Sequence, residues 1–369
     1  RSQDVWVLGD EPVERISLLA PRGKHIRLCR SGSNLPSRVA DHLFWLGRHF
    51  ERADGAARLL RTLFLRLASD EESEEIEIPV LLRLLAEQGQ VEPALVVDGL
   101  QQSLPDIETL LPESVFNELE PRSLRGTIVK MVELASVVRD RLSIDAWRIL
   151  SQIEQSSRRP ALQHGRLDAT DVLEVLEQLV LEFAAFSGVS STRMTRTLGW
   201  RFLELGKRIE SAWHVASMMH GALGTRRRDE IRVLNALLET ADSVMTYRSR
   251  YLADVQAEAV VDLLLTDESN PRSIGFQLQK IHDHVSRLPR DESLAVRSAE
   301  ERYALSMLNL VRLADVHELC QLNSDGERPS LNRFLSRLLD QLPKLSNAVS
   351  GRFLIHAGLP RHFGRVDTR

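Results

Sequence analysis

A hydrophobic stripe with alternating spacings of four and three residues runs from residue 39 to residue 64. This spacing is typical of a long α-helix whose apolar seam packs on a partner helix, since strands alternate at every second residue. The same stripe recurs 159 residues further along the chain. The stripes consist of Val39, Leu43, Leu46, Phe50, Ala53, Ala57, Leu60 and Phe64, and of Leu198, Phe202, Leu205, Ile209, Ala212, Ala216, Met219 and Leu223. The sequence therefore predicts two related long helices in one bundle.

A glycine and a glutamate recur at the same places in both stripes. Gly47 and Gly206 interrupt the stripes at equivalent positions. Because an interior glycine costs a helix about 1 kcal/mol relative to alanine, its recurrence predicts that a backbone or a ligand comes close there. Glu51 and Glu210 follow one turn later on the same face. If they face a shared cleft, they are the candidate catalytic acid or base; the alternative is a solvated ion pair with a nearby arginine.

The surroundings of the two glutamates differ. Arg48 and Arg52 lie close to Glu51 and are candidate substrate-binding residues, because guanidinium groups recognise carboxylates and phosphates through paired hydrogen bonds. In the second stripe, Ser211 takes the place of Arg52. A site with two fully symmetric halves is therefore not expected.

The first 33 residues differ from the rest of the chain. They contain short, extended-looking runs separated by glycine and proline, and they are too few to form a core of their own. The chain is helical in pattern from there on. We therefore predict an all-α protein: a multi-helix bundle spanning 34–369 with an internal pseudo-two-fold repeat, preceded by a short extended N-terminal segment at 1–33. The repeat halves are predicted at about 35–160 and 166–369.

Composition excludes several classes of partner. The 369 residues include 48 basic and 52 acidic residues, for a net charge of −4. This balance predicts that the chain binds neither nucleic acid nor an anionic membrane surface. No apolar run approaches the roughly 18 residues of a membrane span. Two cysteines, Cys29 and Cys320, are too few for a disulfide framework, which favours a reducing, cytoplasmic location.

The familiar signatures of enzymes are absent. The sequence contains none of the motifs GxGxxG, GxxxxGK[ST], HExxH, GxSxG or CxxC. A di-metal helical bundle would need Glu-x-x-His on two helices, which does not occur. Glu210 and His214 lie one helical turn apart, but such a pair more often forms hydrogen bonds than binds a metal. We therefore expect neither a metal nor a cofactor in this part of the protein.

Two further segments hold candidate substrate-binding residues. Tyr247, Arg248 and Arg250 lie on a predicted helix that could hold an anion or a peptide, unless the tyrosine only covers the edge of the core. Downstream, Asn270 is a plausible helix cap with Arg272 beside it. The N-terminus of that helix could hold a carboxylate or phosphate, or could simply be capped.

Five stretches resemble the alpha-E family, an all-helical bacterial domain. They are LPSRVADHLFWLGRHFERADGAARLLR, VVRDRLSIDAW, MTRTLGWRFLELGKRIESA, ADSVMTYRSRYLA and LLLTDESNPRSIGFQL, and they cover about residues 35–280. The preceding DVWVLGDEPVERISLLAP resembles the last strands of a circularly permuted ATP-grasp domain, which some members carry ahead of the helical domain. The start of the chain, without an initiator methionine or a signal-peptide pattern, fits a piece of such a fusion.

The resemblance implies a function for the system as a whole. ATP-grasp enzymes use ATP and Mg²⁺ to activate a carboxylate as an acyl phosphate and join it to an amine. The helical domain accompanies them, often beside a transglutaminase-like protein. We therefore expect an accessory or substrate-presenting domain of an ATP-dependent carboxylate–amine ligase. An independent enzyme using Glu51 or Glu210, and a pure interaction scaffold, are the alternatives.

Overall fold

The computed structural model describes residues 35–68, 77–91, 107–160, 167–226, 229–290 and 296–354, together with the backbone of 362–363. The predicted N-terminal extended segment and its ATP-grasp resemblance lie outside the described residues. Within them the protein is built from fourteen α-helices and one two-residue strand pair, β1 (Leu35–Pro36) with β2 (His362–Phe363). The all-α prediction is confirmed. No described helix is long and apolar enough to cross a membrane.

The helices are numbered in chain order. The earlier helices are α1 (Ser37–Leu67), α2 (Glu77–Glu87), α3 (Ile107–Phe116), α4 (Leu124–Val137), α5 (Ile144–Ser156) and α6 (Ala169–Arg193). The later ones are α7 (Leu198–Leu223), α8 (Glu230–Thr240), α9 (Val244–Tyr251), α10 (Ala257–Val261), α11 (Ile274–Val285), α12 (Ala299–Arg312), α13 (Val316–Leu319) and α14 (Pro329–Val349). A 3-10 turn (Arg139–Arg141) precedes α5, and π-helical turns follow α10 (Asp262–Thr266) and α14 (Ser350–Leu354).

The two predicted stripes form the centre of the bundle. Helices α1 and α7 carry them, and every stripe residue is buried except Val39 and Leu198, which start the stripes and are half-buried. The residue numbers of the contacting pairs rise in the same direction along both helices, since Gly199 lies against Leu43 and His214 lies against Gly55. The helices therefore pack side by side in parallel. They meet along the face of Gly47 and Gly206, beside the stripes, whereas Phe50 of the first stripe packs on Phe183 and Phe186 of α6.

The recurring glycines allow this pair to approach closely. A Cβ atom at Gly47 would overlap the carbonyl oxygen of Leu203, and a Cβ atom at Gly206 would overlap the carbonyl oxygen of Phe44. Each glycine therefore meets the backbone of the opposite helix, as predicted from its recurrence. Small residues at a helix crossing allow this distance, and any side chain would push the helices apart.

The packing of the other helices repeats around this pair. Helices α4 and α6 pack on α1, and α5 packs on α6. In the same way α11 and α14 pack on α7, and α12 packs on α14. The approximate two-fold relation is thus present in the contacts as well as in the sequence. Helix α6 packs with the earlier helices, so the packing places the boundary between the halves after α6 rather than at 160–166.

A second repeated motif sets the start of α4 and α11. Pro-Arg-Ser precedes each helix, at 121–123 and at 271–273. The serine is the N-cap in both: Ser123 accepts a hydrogen bond from the amide of Gly126 at 2.9 Å, and Ser273 from that of Phe276 at 3.0 Å. The prediction that Asn270 caps this helix is therefore wrong by three residues. Such a cap contributes about 1 kcal/mol by satisfying an amide that the first turn leaves free.

Candidate functional site

Two ion pairs lie in the seam between α1 and α7, and each joins a cation of one helix to a glutamate of the other. Arg48 Nε donates to Glu210 Oε2 at 2.6 Å, and Lys207 Nζ lies 3.6 Å from Glu51 Oε1. Arg48 and Lys207 are equivalent positions of the repeat, as are the two glutamates. Each half therefore supplies the cation for the carboxylate of the other half. The glutamates are paired with cations, but the pairs lie in the seam between the helices rather than in solvent.

Glu210 is held by two arginines. Arg52 Nε donates to Glu210 Oε1 at 2.8 Å, in addition to the bond from Arg48, and the Glu210 side chain is only 2% exposed. Burial raises the pKa of Glu210, but the charges and hydrogen bonds of the two arginines outweigh it and bring that pKa below its usual value. Glu210 is therefore an ionised anchor for the two guanidinium groups.

Glu51 is held less tightly. Burial raises the pKa of Glu51, and the opposing charge of Lys207 is not enough to restore it, since Asp54 raises it further. Lys207 is itself 3% exposed and donates to the Ser187 hydroxyl at 3.0 Å. The difference from Glu210 follows from the sequence, because Ser211 stands where an arginine equivalent to Arg52 would reach Glu51.

A cavity of about 390 Å³ opens beside the Glu210 cluster. Its walls come from α1, α7, the end of α2 and the start of α4. The lining residues are Arg48, Arg52, Ala86, Glu87, Gln88, Gly89, Gln90, Pro121, Arg122, Thr127, Glu210, Trp213 and His214. The volume falls within the range of small-molecule sites, which is about 300–1,000 Å³.

Two guanidinium groups in the lining have free donors. The Nη groups of Arg52 and the whole guanidinium of Arg122 make no hydrogen bond or ion pair with the described residues. In contrast, Arg48 uses both Nε, which donates to Glu210, and Nη1, which donates to the Ser346 hydroxyl at 2.7 Å. The cavity therefore presents cationic forks whose geometry suits a carboxylate or phosphate.

Two further polar atoms of lining residues are buried without a hydrogen-bond partner among the described residues: Gln88 Nε2 and Gln90 Oε1. Gln90 is 5% exposed. Buried polar groups in folded proteins are nearly always paired, so two unpaired glutamine atoms in the residues around one cavity favour a polar ligand there. Burial lowers the pKa of His214 to about 4. The charges of Glu210 and Asp54 oppose this shift, and the smaller effects of Arg58 and Arg272 add to it.

The opposite face of the seam is closed by the protein's own side chains. Arg272 Nη1 lies 3.6 Å from Asp54 Oδ2, and its Nη2 lies 3.5 Å from Asp242 Oδ2. Arg58 pairs with the same two carboxylates, at 3.1 and 3.3 Å. Arg272 and Arg122 are the arginines of the two Pro-Arg-Ser motifs. On one side of the seam the motif arginine, Arg122, lines an open cavity. On the other side the equivalent arginine, Arg272, is paired with Asp54 and Asp242.

The structure separates the sequence-predicted residues into three groups. Arg48, Arg52 and Glu210 line the cavity. Glu51 does not line it but lies across the seam on the same side as Arg272, whose charge acts on it. The remaining candidates, Tyr247, Arg248, Arg250 and Asn270, do not line it.

The contacts of Tyr247, Arg250 and Asn270 are structural, and Arg248 is exposed. The buried Tyr247 hydroxyl donates to the Asp254 carbonyl at 3.0 Å and accepts from the Gln256 amide at 3.1 Å. Arg250 pairs with Asp267. The buried Asn270 amide donates to the Leu263 carbonyl at 3.0 Å.

Sequence reasoning missed most of the residues that complete the cavity, notably Gln88, Gln90, Arg122 and Trp213. Only the repeated Pro-Arg-Ser motif could have drawn attention to Arg122. The glutamines lie after α2 and carry no recognisable pattern. Among the described residues, no three histidine, cysteine or acidic side chains come together in a way that could hold a metal ion.

Residues 35–354 match a known family, described as "a predicted alpha-helical domain with a conserved ER motif". The chain belongs to the Alpha-E family. Adjacent Glu-Arg pairs occur within the match at 51–52, 301–302 and 327–328. The pair Glu51–Arg52 is the one that lies at the central seam, with Glu51 paired to Lys207 and Arg52 to Glu210.

Similar proteins occur in mycobacteria. The chain is 27% identical over 378 aligned positions to uncharacterized protein Rv2567 of Mycobacterium tuberculosis H37Rv and to uncharacterized protein Mb2597 of Mycobacterium bovis. Each alignment covers 97% of this chain but only 42% of the relative. The chain thus spans less than half the length of the relatives it matches. No solved structure gives a significant match.

Proposed function

We propose that this Alpha-E domain holds a carboxylate-bearing, peptide-like substrate or product and presents it to an ATP-dependent carboxylate–amine ligase. The observation that carries the proposal is the cavity beside Glu210, where Arg52 and Arg122 have free guanidinium donors and buried polar atoms lack partners. A carboxylate is the group that such planar forks recognise best.

The ligase part of the proposal rests on two supports. The residues ahead of the helical domain resemble an ATP-grasp domain, and the relatives extend well beyond the matched region. In this proposal the ATP-grasp domain lies in the same polypeptide and binds ATP and Mg²⁺, a transglutaminase-like protein is a further partner, and the system works in the cytoplasm. The helical domain contributes binding and orientation, which lower the entropic cost of joining two substrates.

Glu210 has a positioning role in this proposal. Its two oxygens fix the Nε atoms of Arg48 and Arg52, at 2.6 and 2.8 Å, and so set the direction in which the free Nη groups of Arg52 point. Ordering a guanidinium before the ligand arrives reduces the side-chain entropy lost on binding. The buried carboxylate also neutralises part of the positive charge, so that three arginines can share one cavity wall.

A carboxylate on the ligand should determine binding to this cavity. We expect N-acetyl-alanine to bind the domain more tightly than its C-terminal amide, and Arg122→Ala to weaken binding of the acid about tenfold or more by removing a charge-assisted hydrogen bond. Titration calorimetry with the purified chain measures both affinities. Arg122 has no ion pair with the described residues, so this variant should fold normally.

The matched control is Arg302→Ala, which removes an exposed arginine from another Glu-Arg pair outside the cavity. It should leave the affinity unchanged. Equal affinities of the acid and the amide for the wild-type chain would contradict the proposal. In the intact longer protein, Arg122→Ala should slow ATP-dependent product formation while sparing ATP binding, because the ATP site lies in the other domain.

A further inference from the structure

The orientation of His214 follows from the glycine opposite to it. A Cβ atom at Gly55 would lie 2.7 Å from both Cε1 and Nε2 of the His214 ring and 2.9 Å from Cδ2. The Cε1–Nε2–Cδ2 edge of the ring therefore presses against the bare backbone of Gly55. Gly55 and His214 are equivalent positions of the repeat, so the first half supplies the space that the second half's ring fills.

This contact with Gly55 determines which ring nitrogen of His214 carries the proton. Nε2 is buried and has no acceptor among the described residues, so a proton on it would leave a buried N–H without a partner, which costs about 1–3 kcal/mol. An unprotonated Nε2 also lacks a conventional partner, but it accepts a weak C–H contact from the Gly55 Cα, which an N–H at the same place could not do. Because burial also keeps the ring neutral above a pH of about 4, its single proton belongs on Nδ1.

Nδ1 is the ring nitrogen that remains available to a ligand. His214 lines the cavity, and Nδ1 neither belongs to the buried unpaired atoms nor bonds to a described residue. The cavity wall thus combines the cationic forks of Arg52 and Arg122 with one neutral N–H donor. A ligand that satisfies this set has a carboxylate and, close to it, an uncharged hydrogen-bond acceptor.

We infer that His214 is a specificity-determining residue that donates from Nδ1 to the amide carbonyl preceding the ligand's carboxylate, so that the cavity selects the C-terminus of a peptide or an N-acylated amino acid. A free amino acid offers an ammonium group at that place, which is a donor itself and is repelled by the arginines. The inference rests on the proposed function for the carboxylate. It adds the chemical class of the group beside it.

The tautomer is tested without any ligand. In the full chain labelled with ¹⁵N-histidine, the imidazole nitrogen shifts distinguish protonated from unprotonated nitrogens. We expect the His214 resonances, identified by their loss in His214→Asn, to show a neutral ring protonated at Nδ1 at pH 7. A ring protonated at Nε2 would overturn the inference.

The selectivity is tested with two acids of the same length. N-acetyl-alanine carries the amide, and 2-methylpentanoate is its all-carbon counterpart. We expect the wild-type chain to prefer N-acetyl-alanine about tenfold, and His214→Phe, which keeps the ring but not the nitrogens, to abolish the preference. His214→Asn places an amide nitrogen near the position of Nδ1 and should restore it, whereas His214→Gln, which reaches the position of Nε2, should not.

The outcomes separate the two ideas. If the acid binds no better than N-acetyl-alaninamide, the carboxylate site fails, and with it the proposed function and this inference. If the acid binds better and depends on Arg122, but His214→Phe keeps the preference for N-acetyl-alanine, only the role of His214 is overturned. Restoration by His214→Asn together with failure by His214→Gln supports a donor at Nδ1 over a merely structural ring.

Discussion

Arg52 is the residue that makes the two sides of the seam different. It gives Glu210 a second cationic partner, whereas Ser211 at the equivalent position leaves Glu51 with Lys207 alone. A buried carboxylate needs such partners, because the cost of its desolvation exceeds what one distant charge returns. One substitution between the repeats thus produces an ionised anchor on one side and a carboxyl group with a raised pKa on the other.

Three buried or half-buried histidines should make the stability depend on pH. The pKa values of His49, His214 and His284 are each lowered from 6.5 to about 4, chiefly by burial. The unfolded chain therefore binds more protons than the folded one between these values. Stability is full above pH 6.5 and is lost as the pH falls towards 4, by at most about 1.4 kcal/mol per pH unit for each histidine.

Denaturant titrations between pH 7 and pH 4.5 measure this dependence. His284→Phe, which preserves an aromatic contact with Trp200, should reduce the slope of the free energy of unfolding against pH. The exposed His317 provides the control, and His317→Gln should leave the slope as it is. A free energy of unfolding that is the same at pH 7 and pH 5 would contradict the assignment of neutral, buried rings.

At the scale of elements, the crossing of α1 and α7 depends on its glycines. We expect Gly47→Ala and Gly206→Ala each to destabilise the fold by about 1–3 kcal/mol or more, because the added methyl group overlaps a carbonyl oxygen of the opposite helix and the helices must separate. Gly188 in α6 is the matched control, since a Cβ there meets nothing within 4 Å. Gly188→Ala should stabilise the protein by up to about 1 kcal/mol through helix propensity.

Denaturant unfolding of the three variants measures these differences. Since all three changes add the same methyl group to a helical glycine, propensity alone would make all of them stabilising. Stabilisation by Gly47→Ala would mean that the two backbones do not touch there. The double variant should cost less than the sum of the single ones, because one separation of the helices relieves both overlaps.

At the scale of the whole molecule, the two halves share one core. Helices α1 and α7 pack on each other, their apolar stripes are buried in the same core, and α2 and α8 each contact both central helices. We therefore expect separate chains of residues 35–193 and 194–354 to lack a cooperative unfolding transition, since each exposes a long apolar seam. Mixed together they should recover the helical circular dichroism and the unfolding transition of the intact 35–354 chain. Cooperative unfolding of either half alone would show two independent domains.

Much of the architecture could be predicted from the sequence, because it depends on periodicity. The 4-3 spacing identified α1 and α7, and the repeated Gly47 and Gly206 predicted their close approach, since few other reasons keep a glycine inside a helix. The sequence also indicated that the glutamates could form ion pairs with arginines, although it did not say which arginine would pair with which glutamate. The mistaken cap at Asn270 shows the limit of local patterns, because Ser273 three residues later satisfies the same geometry.

The site itself was decided by the tertiary structure. Arg122, Gln88 and Gln90 line one cavity with Arg52 only because α2 and α4 converge on the seam, and no spacing in the chain records that convergence. Conversely, Tyr247 and Arg250 looked functional together but are occupied by neighbouring groups of their own segment. The sequence by itself determined which faces are apolar and where backbones touch, since these follow from local helical geometry. Which polar groups remain unpaired depends on every neighbour at once, and so only the folded chain defines the cavity.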